Sequence, residues 1–146
     1  MPFIKIDKTE FEVSKDKTVL EVALENNIEI PHYCYHPALE IAGSCRMCLV
    51  EIEGMPKLQV SCNTFIGEVH PDRKIDGKYD MVVHTQNELV TKERKNILEF
   101  LLLNHPLDCP VCDQAGECDL QDYSFKFGNA HSRFDEDKRV RPNEYL

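Results

Sequence analysis

The chain has 146 residues, 42% of them apolar, and 17 basic against 26 acidic residues give it a net charge of −9. This length suits one domain with its own core plus a smaller extension. The acidic surplus disfavours binding to nucleic acid and to anionic membrane surfaces. The sequence contains neither an apolar run long enough to span a bilayer nor a signal peptide, so we expect a cytoplasmic protein without direct membrane insertion.

Seven cysteines are the most informative feature of the composition. In a reducing compartment an odd number of cysteines argues against a disulfide framework. We therefore expect the cysteines to bind metal, and their spacing to indicate which metal.

The first third of the chain predicts short strands around one helix. The segments "FIKI" and "FEV" flank a polar turn at Asp7 to Thr9. In "TVLEVALENN", Thr18 and Glu21 have the spacing of a capping box at a helix start. The apolar residues of this helix share one face: Val19, Leu20, Ala23 and Leu24.

The middle of the chain predicts more strands and two loops. An irregular, cysteine-bearing loop follows Pro31, and "CLVEIEG" with "LQVSC" predicts a hairpin. We expect residues 67–80 to form an exposed loop and "MVVHT" to be the closing strand. A small mixed sheet crossed by a helix accounts for these elements.

In the last third of the chain, the candidate ligand residues come after a second predicted helix. Thr85 and Glu88 suggest another capping box, and Pro106 disfavours helical geometry at His105. The helix should therefore end near Asn104, with the histidine at its last turn. Its predicted inner side carries Leu89, Val90, Ile97, Leu98, Leu101 and Leu102. We interpret residues 123–146 as a tail.

A first set of candidate ligands has the spacing C-x10-C-x2-C-x13-C: Cys34, Cys45, Cys48 and Cys62. Small residues at Gly43 and Ser44 let the backbone approach sulfur closely. Four thiolates satisfy a [2Fe-2S] cluster, two for each iron. Structural zinc sites usually pair two short cysteine knuckles, whereas this set has one, yet zinc remains the alternative.

Two histidines flank the first cysteine of this set. His32 and His36 lack the C-x-H and C-x2-H spacing of a Rieske site. We interpret them as neighbours of the site or surface residues.

A second set of candidate ligands lies within "HPLDCPVCDQAGECDLQD": His105, Cys109, Cys112 and Cys118. Three thiolates and one imidazole supply the four ligands of a [4Fe-4S] cluster, and zinc in a Cys3His site is the alternative. A neutral imidazole leaves the cluster with one negative charge fewer than an all-cysteine site. We therefore expect its reduction potential to be higher.

The two motif regions also resemble a known family. "HYCYHPALEIAGSCRMCLVEIEGMPKLQVSC" and "MVVHTQNELVTKERKNILEFLLLNHPLDCPVCDQAGECDLQD" closely resemble the amino-terminal part of the large iron–sulfur subunits of NADH-quinone oxidoreductase, respiratory complex I. Members of that family continue with further cysteine motifs and a long carboxy-terminal domain. This chain ends at "RPNEYL" with no eighth cysteine.

The resemblance implies an α+β fold with three parts. Residues 1–84 would form a β-grasp, ferredoxin-like domain that holds a [2Fe-2S] cluster on the first ligand set. Residues 85–125 would form a helical segment that holds a [4Fe-4S] cluster on the second set. Residues 126–146 would be a carboxy-terminal extension.

The resemblance also implies a function in electron transfer. The clusters would pass electrons from reduced flavin on a neighbouring subunit towards quinone, without an acid, base or nucleophile from this chain. The implied partners are the flavin- and NADH-binding subunit and other hydrophilic-arm subunits, on the cytoplasmic side of the inner membrane.

Three other functions remain open from the sequence. Related modules occur in the diaphorase parts of soluble NAD-linked hydrogenases and formate dehydrogenases. A redox-inert zinc scaffold would use the same ligands. A free-standing ferredoxin would not need the second ligand set.

Overall fold

The structure is a computed structural model that describes residues 1–68 and 74–139. It divides into two compact units, Met1–Glu93 and Arg94–Leu146. The domain boundaries after residues 84 and 125 remain predictions, and residues 140–146 of the predicted extension lie outside the described part.

The first unit is built on a five-stranded mixed sheet. Its strands in chain order are β1 (Phe3–Ile6), β2 (Thr9–Glu12), β3 (Leu49–Ile52), β4 (Gln59–Val60) and β5 (Met81–His84). The spatial order is β2-β1-β5-β3-β4. Strand β1 pairs with β5 in parallel, and the other neighbours are antiparallel. The predicted hairpin is confirmed as the β3–β4 pair.

Strand β5 lies at the centre of the sheet, between β1 and β3, rather than closing it. Its residues Met81, Val82 and Val83 are all buried. A strand covered on both faces has such a continuous apolar run, which explains why "MVV" does not alternate.

One helix, α1 (Val19–Glu25), packs its apolar side into the core formed with the sheet. The predicted capping box is confirmed: the Glu21 N–H donates to Thr18 Oγ1 at 3.2 Å, and the Thr18 N–H donates to Glu21 Oε2 at 2.7 Å. Leu24 was expected in the core but is 41% exposed. It lies in the last turn of the helix, and Val22 takes its place among the buried side chains.

The core of this unit combines alternate strand residues with the helix. Ile4, Ile6, Val50 and Ile52 are fully buried and belong to the same apolar cluster as α1. Burying each such side chain contributes about 1.5–3 kcal/mol. This core holds in place the two loops from which the first ligand set comes.

The loop predicted at 67–80 is largely exposed where the structure describes it, but it is anchored to the core near its end. Residues 69–73 lie outside the described part, but Tyr79 is buried. The Phe3 N–H donates to Asp80 Oδ2 at 2.8 Å, and the Tyr79 ring stacks on Phe3 with centroids 5.6 Å apart. Pairing of β5 with β1 fixes this end of the loop.

A long helix, α2 (Glu88–Leu102), follows β5. The predicted capping box at its start is wrong, because Thr85 donates instead to Asp7: its N–H to Oδ1 at 2.7 Å and its hydroxyl to Oδ2 at 2.6 Å. Asn87 replaces it, since its Oδ1 accepts from the Val90 N–H at 2.9 Å. Asparagine is one of the strongest residues in this capping role.

The inner side of α2 was predicted only in part. Val90 and Leu98 are buried as expected, whereas Leu89 and Leu101 are 48% and 37% exposed. Arg94 is 2% exposed, which apolar periodicity alone could not indicate. Its guanidinium lies 6.0 Å from the Phe127 ring centroid, on α3 (Asp119–Phe127). In residues 1–68 and 74–139, no helix has the length and apolar character needed to cross a membrane.

Candidate metal centres

The first ligand set comes from two loops that the sheet brings together. Cys34 and Cys45 lie between α1 and β3, and Cys48 directly precedes β3. Cys62 lies in the short 3-10 helix that follows β4. The Ser61 N–H donates to the Cys48 carbonyl at 3.0 Å, so the β3–β4 pairing continues to the two buried cysteines.

The loop around Cys45 has an unusual backbone. Gly43 has φ +58°, and a side chain added there would be strained whatever the space around it. Arg46 has φ +60° although it carries a side chain, which costs about 1–2 kcal/mol. Such strain concentrates at functional sites. These two residues bend the chain on either side of Cys45.

The thiols of the first set interact electrostatically. Burial, followed by the neighbouring Cys48, Cys34 and Cys45 thiolates, raises the pKa of Cys62 to about 12. At Cys34 burial also raises the pKa, but hydrogen bonds from Cys45 and Ser44 outweigh it and lower the value to about 7. The Cys45 N–H contributes by donating to Cys34 Sγ at 3.4 Å. Thiols that raise the pKa of a neighbour in this way need a positive centre to stay ionised together.

This donor set fits a [2Fe-2S] group, which takes two thiolates on each iron. A backbone N–H already points at one ligand sulfur, as expected where amides hydrogen-bond to cluster sulfurs. The Ser61 hydroxyl is buried and finds no hydrogen-bond partner among the described residues. Since buried hydroxyls are normally satisfied, a sulfur-rich group beside Cys62 would supply the missing acceptor. The ligand motif did not point to Ser61; its burial in the structure did.

The second ligand set lies beyond the end of α2. His105 is exposed, three residues after the helix ends at Leu102, as Pro106 predicts. Cys109 begins a short 3-10 helix with Pro110, and Cys118 directly precedes α3. Cys109 and Cys118 are partly buried and Cys112 is exposed. All four therefore lie on one surface segment between two helices.

Consecutive turns fold this segment back on itself. The Cys112 N–H donates to the Cys109 carbonyl at 3.3 Å, and the Ala115 N–H donates to the Cys112 carbonyl at 3.1 Å. Gly116 then has φ +90°, with open space where a Cβ would be. One imidazole and three thiols on such a loop fit a [4Fe-4S] group, which needs one ligand for each iron.

Neither donor set is arranged around one ion. Within residues 1–68 and 74–139, no three or more His, Cys, Asp or Glu side chains form a group that could hold a metal ion. Iron–sulfur groups spread four protein ligands over two or four irons, so their fit depends on the donor set rather than on one shared centre.

Comparison with known proteins assigns a family to each part of the chain. Residues 3–69 match a family described as a 2Fe-2S iron-sulfur cluster binding domain. Residues 94–133 match the NADH-ubiquinone oxidoreductase-G iron-sulfur binding region. Together the two matches include most of the chain and all eight candidate ligands. The chain is therefore similar to the iron–sulfur part of NADH-quinone oxidoreductase G subunits.

The curated relatives are NADH-quinone or NADH-ubiquinone oxidoreductase subunits. The chain is 47% identical over 143 residues to the NADH-quinone oxidoreductase G subunit of Rickettsia felis, covering 98% of this chain and 20% of that protein. It is 47% identical over 134 residues to the NADH-ubiquinone oxidoreductase 75 kDa subunit of Reclinomonas americana, covering 92% of this chain and 18% of the relative. The chain thus spans about one fifth of the length of these curated relatives.

A solved structure has the same fold. The crystal structure of NAD+-reducing [NiFe]-hydrogenase in the H2-reduced state matches with a TM-score of 0.77 and 31% identity. The match covers 96% of this chain and 54% of the hydrogenase chain. This neighbour and the matched 2Fe-2S family confirm the α+β, ferredoxin-like fold. The family matches also confirm one [2Fe-2S] and one [4Fe-4S] cluster as the cofactors.

Proposed function

We propose that this chain is an electron-transfer part of an NADH-quinone oxidoreductase, passing electrons from reduced flavin on a neighbouring subunit towards quinone. The observation that carries the proposal is the occurrence of two separate ligand sets, each inside the matching iron–sulfur family region. We assign the [2Fe-2S] cluster to Cys34, Cys45, Cys48 and Cys62. We assign the [4Fe-4S] cluster to His105, Cys109, Cys112 and Cys118.

In this proposal the protein fixes cluster position and potential. When bound, the clusters accept and release single electrons without bond changes in the protein. Cys48 and Cys62 hold their thiolates in the buried part of the first site, while the Cys45 N–H stabilises negative charge on Cys34. At the second site, the His105 imidazole adds no negative charge, which favours a higher reduction potential.

The assigned residues need no acid–base or nucleophilic chemistry. Outer-sphere electron transfer moves no proton or group, so the eight assigned side chains act only as ligands. The oxidoreductase activity then belongs to the assembly, and this chain serves as an electron-transfer part without a catalytic residue of its own.

The proposed partners are the flavin- and NADH-binding subunit and other subunits of the hydrophilic arm. We place this arm on the cytoplasmic side of the inner membrane. The relatives' names support an assembly of this kind. The net charge of −9 disfavours nucleic acid as a further partner.

A second candidate function is electron transfer in the diaphorase part of a soluble NAD-linked hydrogenase or formate dehydrogenase. The likeness to the NAD+-reducing hydrogenase structure favours it. The curated relatives, which are NADH-quinone or NADH-ubiquinone oxidoreductase subunits, favour the first candidate more strongly.

The proposal is tested by measuring whether NADH reduces the chain's clusters through a flavin-binding subunit. The full chain, loaded with iron and sulfide, is mixed anaerobically with NADH and the purified flavin- and NADH-binding subunit of an NADH-quinone oxidoreductase. We expect NADH to reduce the chain's clusters only when that subunit is present. A matched sample with a hydrogenase diaphorase tests the second candidate. Reduction by dithionite but by neither NADH mixture would contradict both assignments.

A further inference from the structure

The last described residues of the chain contact the carboxyl-terminal half of α2. Arg133 donates to the Glu99 carboxylate through its backbone N–H at 2.7 Å and through Nε at 2.9 and 3.1 Å. Its Nη2 also bonds to Glu99, and donates to Asn96 Oδ1 at 2.9 Å. Charge-assisted, multiply bonded Arg–carboxylate pairs are the most directional ion pairs in proteins. This pair fixes residue 133 beside the helix.

Five residues later the chain reaches the helix end itself. Lys138 Nζ donates to the carbonyl oxygen of Leu102, and to that of Leu103 at 3.3 Å. The Arg139 N–H donates to Asn104 Oδ1 at 3.0 Å. Leu102, Leu103 and Asn104 are the three residues immediately before His105. Lys138 and Arg139 therefore contact all three residues that precede the candidate ligand His105.

Residues on both sides of His105 line one cavity together with the last described segment. Its volume is about 210 Å³, and its walls include Leu102 of α2, Leu107 and Phe134. Leu102 and Leu107 bracket the histidine in sequence, and both line the same cavity as Phe134. Residues on both sides of His105 therefore share a cavity wall with segment 133–139.

The bonds from Lys138 satisfy carbonyl groups at the carboxyl-terminal end of α2. The last carbonyl groups of a helix have no partner inside the helix and carry the negative end of its dipole. A lysine that donates to them satisfies the acceptors and places positive charge where the dipole favours it. Without it the carbonyl groups of Leu102 and Leu103 would lose this donor, and the last turn of α2 would fray more readily.

We propose that Lys138 is a positioning residue for His105, which it fixes through the Leu102 and Leu103 carbonyls so that the imidazole is oriented to bind the second cluster. The proposal rests on the assignment of His105 as a ligand. It extends the second site beyond the matched family region, which ends at residue 133. Groups hydrogen-bonded to a metal-binding histidine commonly change metal affinity about 10–100-fold when removed, and Lys138 would act one step further away, through the main chain.

The test uses four variants of the full chain, one of which is His105→Ala. Lys138→Met removes the charge and keeps the chain length, and Lys138→Arg keeps a cation. Lys92→Met, at an exposed position on the same helix, is the matched control. Amide exchange at Leu103, whose N–H donates to the Phe100 carbonyl at 3.3 Å, is measured without metal. After anaerobic loading, the EPR signals of both clusters are followed during titration with an iron chelator, with the first cluster as the internal reference.

We expect Lys138→Met to speed exchange at Leu103 at least about tenfold. We expect its second cluster to be lost at about tenfold lower chelator concentration, with shifted g-values, while the first cluster is unaffected. Lys138→Arg should keep the slow amide exchange and the chelator resistance of the second cluster. Lys92→Met should resemble the unaltered chain in both measurements. If exchange became faster while the second cluster was unchanged, Lys138 would only cap the helix, and the proposal would be overturned.

Three other outcomes are also decisive. Loss of both clusters in Lys138→Met would show a general effect on folding and overturn the positioning role. A second cluster that persists in a His105→Ala variant would overturn the ligand assignment itself, and with it this inference. Absence of any second cluster in the unaltered chain would contradict the proposed function rather than the role of Lys138 alone.

Discussion

The backbone N–H of Cys45 donates to Sγ of Cys34 at 3.4 Å. Burial raises the pKa of Cys34, but this bond and the others from Cys45 and Ser44 outweigh it and lower the pKa to about 7. Burial and neighbouring thiolates instead raise the pKa of Cys62 to about 12. The reactive form of cysteine is the thiolate. In the metal-free protein, the first site should therefore contain one reactive and one inert thiol.

We predict that iodoacetamide modifies Cys34 of the metal-free protein much faster than Cys62 at neutral pH. The Cys34 rate should rise with pH to half its maximum near its pKa of about 7, because deprotonation creates the nucleophile. Peptide mapping by mass spectrometry measures both rates. The denatured chain, in which the two thiols should react alike, is the control, and equal rates in the folded chain would contradict the prediction.

Cys45→Ser should abolish the [2Fe-2S] EPR signal and leave the [4Fe-4S] signal intact. The reason is that the two ligand sets lie in separate segments and separate compact units. Cys112→Ser is the reciprocal variant, which should remove only the [4Fe-4S] signal. Simultaneous loss of both signals in either variant would argue against two independent sites.

His105→Cys should retain a cluster but lower its reduction potential. A thiolate restores the negative charge that the imidazole lacks, and net cluster charge is a main determinant of potential. An EPR-monitored redox titration of the second cluster measures the shift, with the first cluster as reference. An unchanged or higher potential would refute the charge argument.

Ser61→Ala should lower the potential of the [2Fe-2S] cluster. The buried Ser61 hydroxyl, adjacent to Cys62, would donate to a cluster or thiolate sulfur and stabilise the added electron. One hydrogen bond of about 1 kcal/mol corresponds to about 40 mV for a one-electron couple. Ser61→Thr, which keeps a hydroxyl, should lie closer to the unaltered chain. Equal potentials in all three proteins would leave Ser61 without this role.

Local sequence signals predicted the local structure well. The Thr18–Glu21 capping box, the β3–β4 hairpin and the end of α2 before Pro106 all depend on residues close together in the chain. The spacing of the cysteines likewise indicated both iron–sulfur clusters, because each cluster type requires its own number and grouping of ligands.

What the sequence could not show depends on long-range contacts. Thr85 fails to cap α2 because Asp7, 78 residues earlier, accepts both of its hydrogen bonds. Strand β5 lies at the sheet centre because it pairs with β1 across a similar separation. The contact of Lys138 with the end of α2 joins residues 36 positions apart, and no short sequence motif indicates it.

The two ligand sets should each bind their own iron–sulfur cluster, and counting metal and sulfide tests this most directly. The chain is loaded anaerobically with iron and sulfide, analysed for both elements, and studied by EPR in the reduced state. We expect about six irons and six sulfides for each chain and two distinct spin systems. A colourless protein that contains zinc and no sulfide, while a known ferredoxin loads successfully in parallel, would contradict the assignment of both clusters.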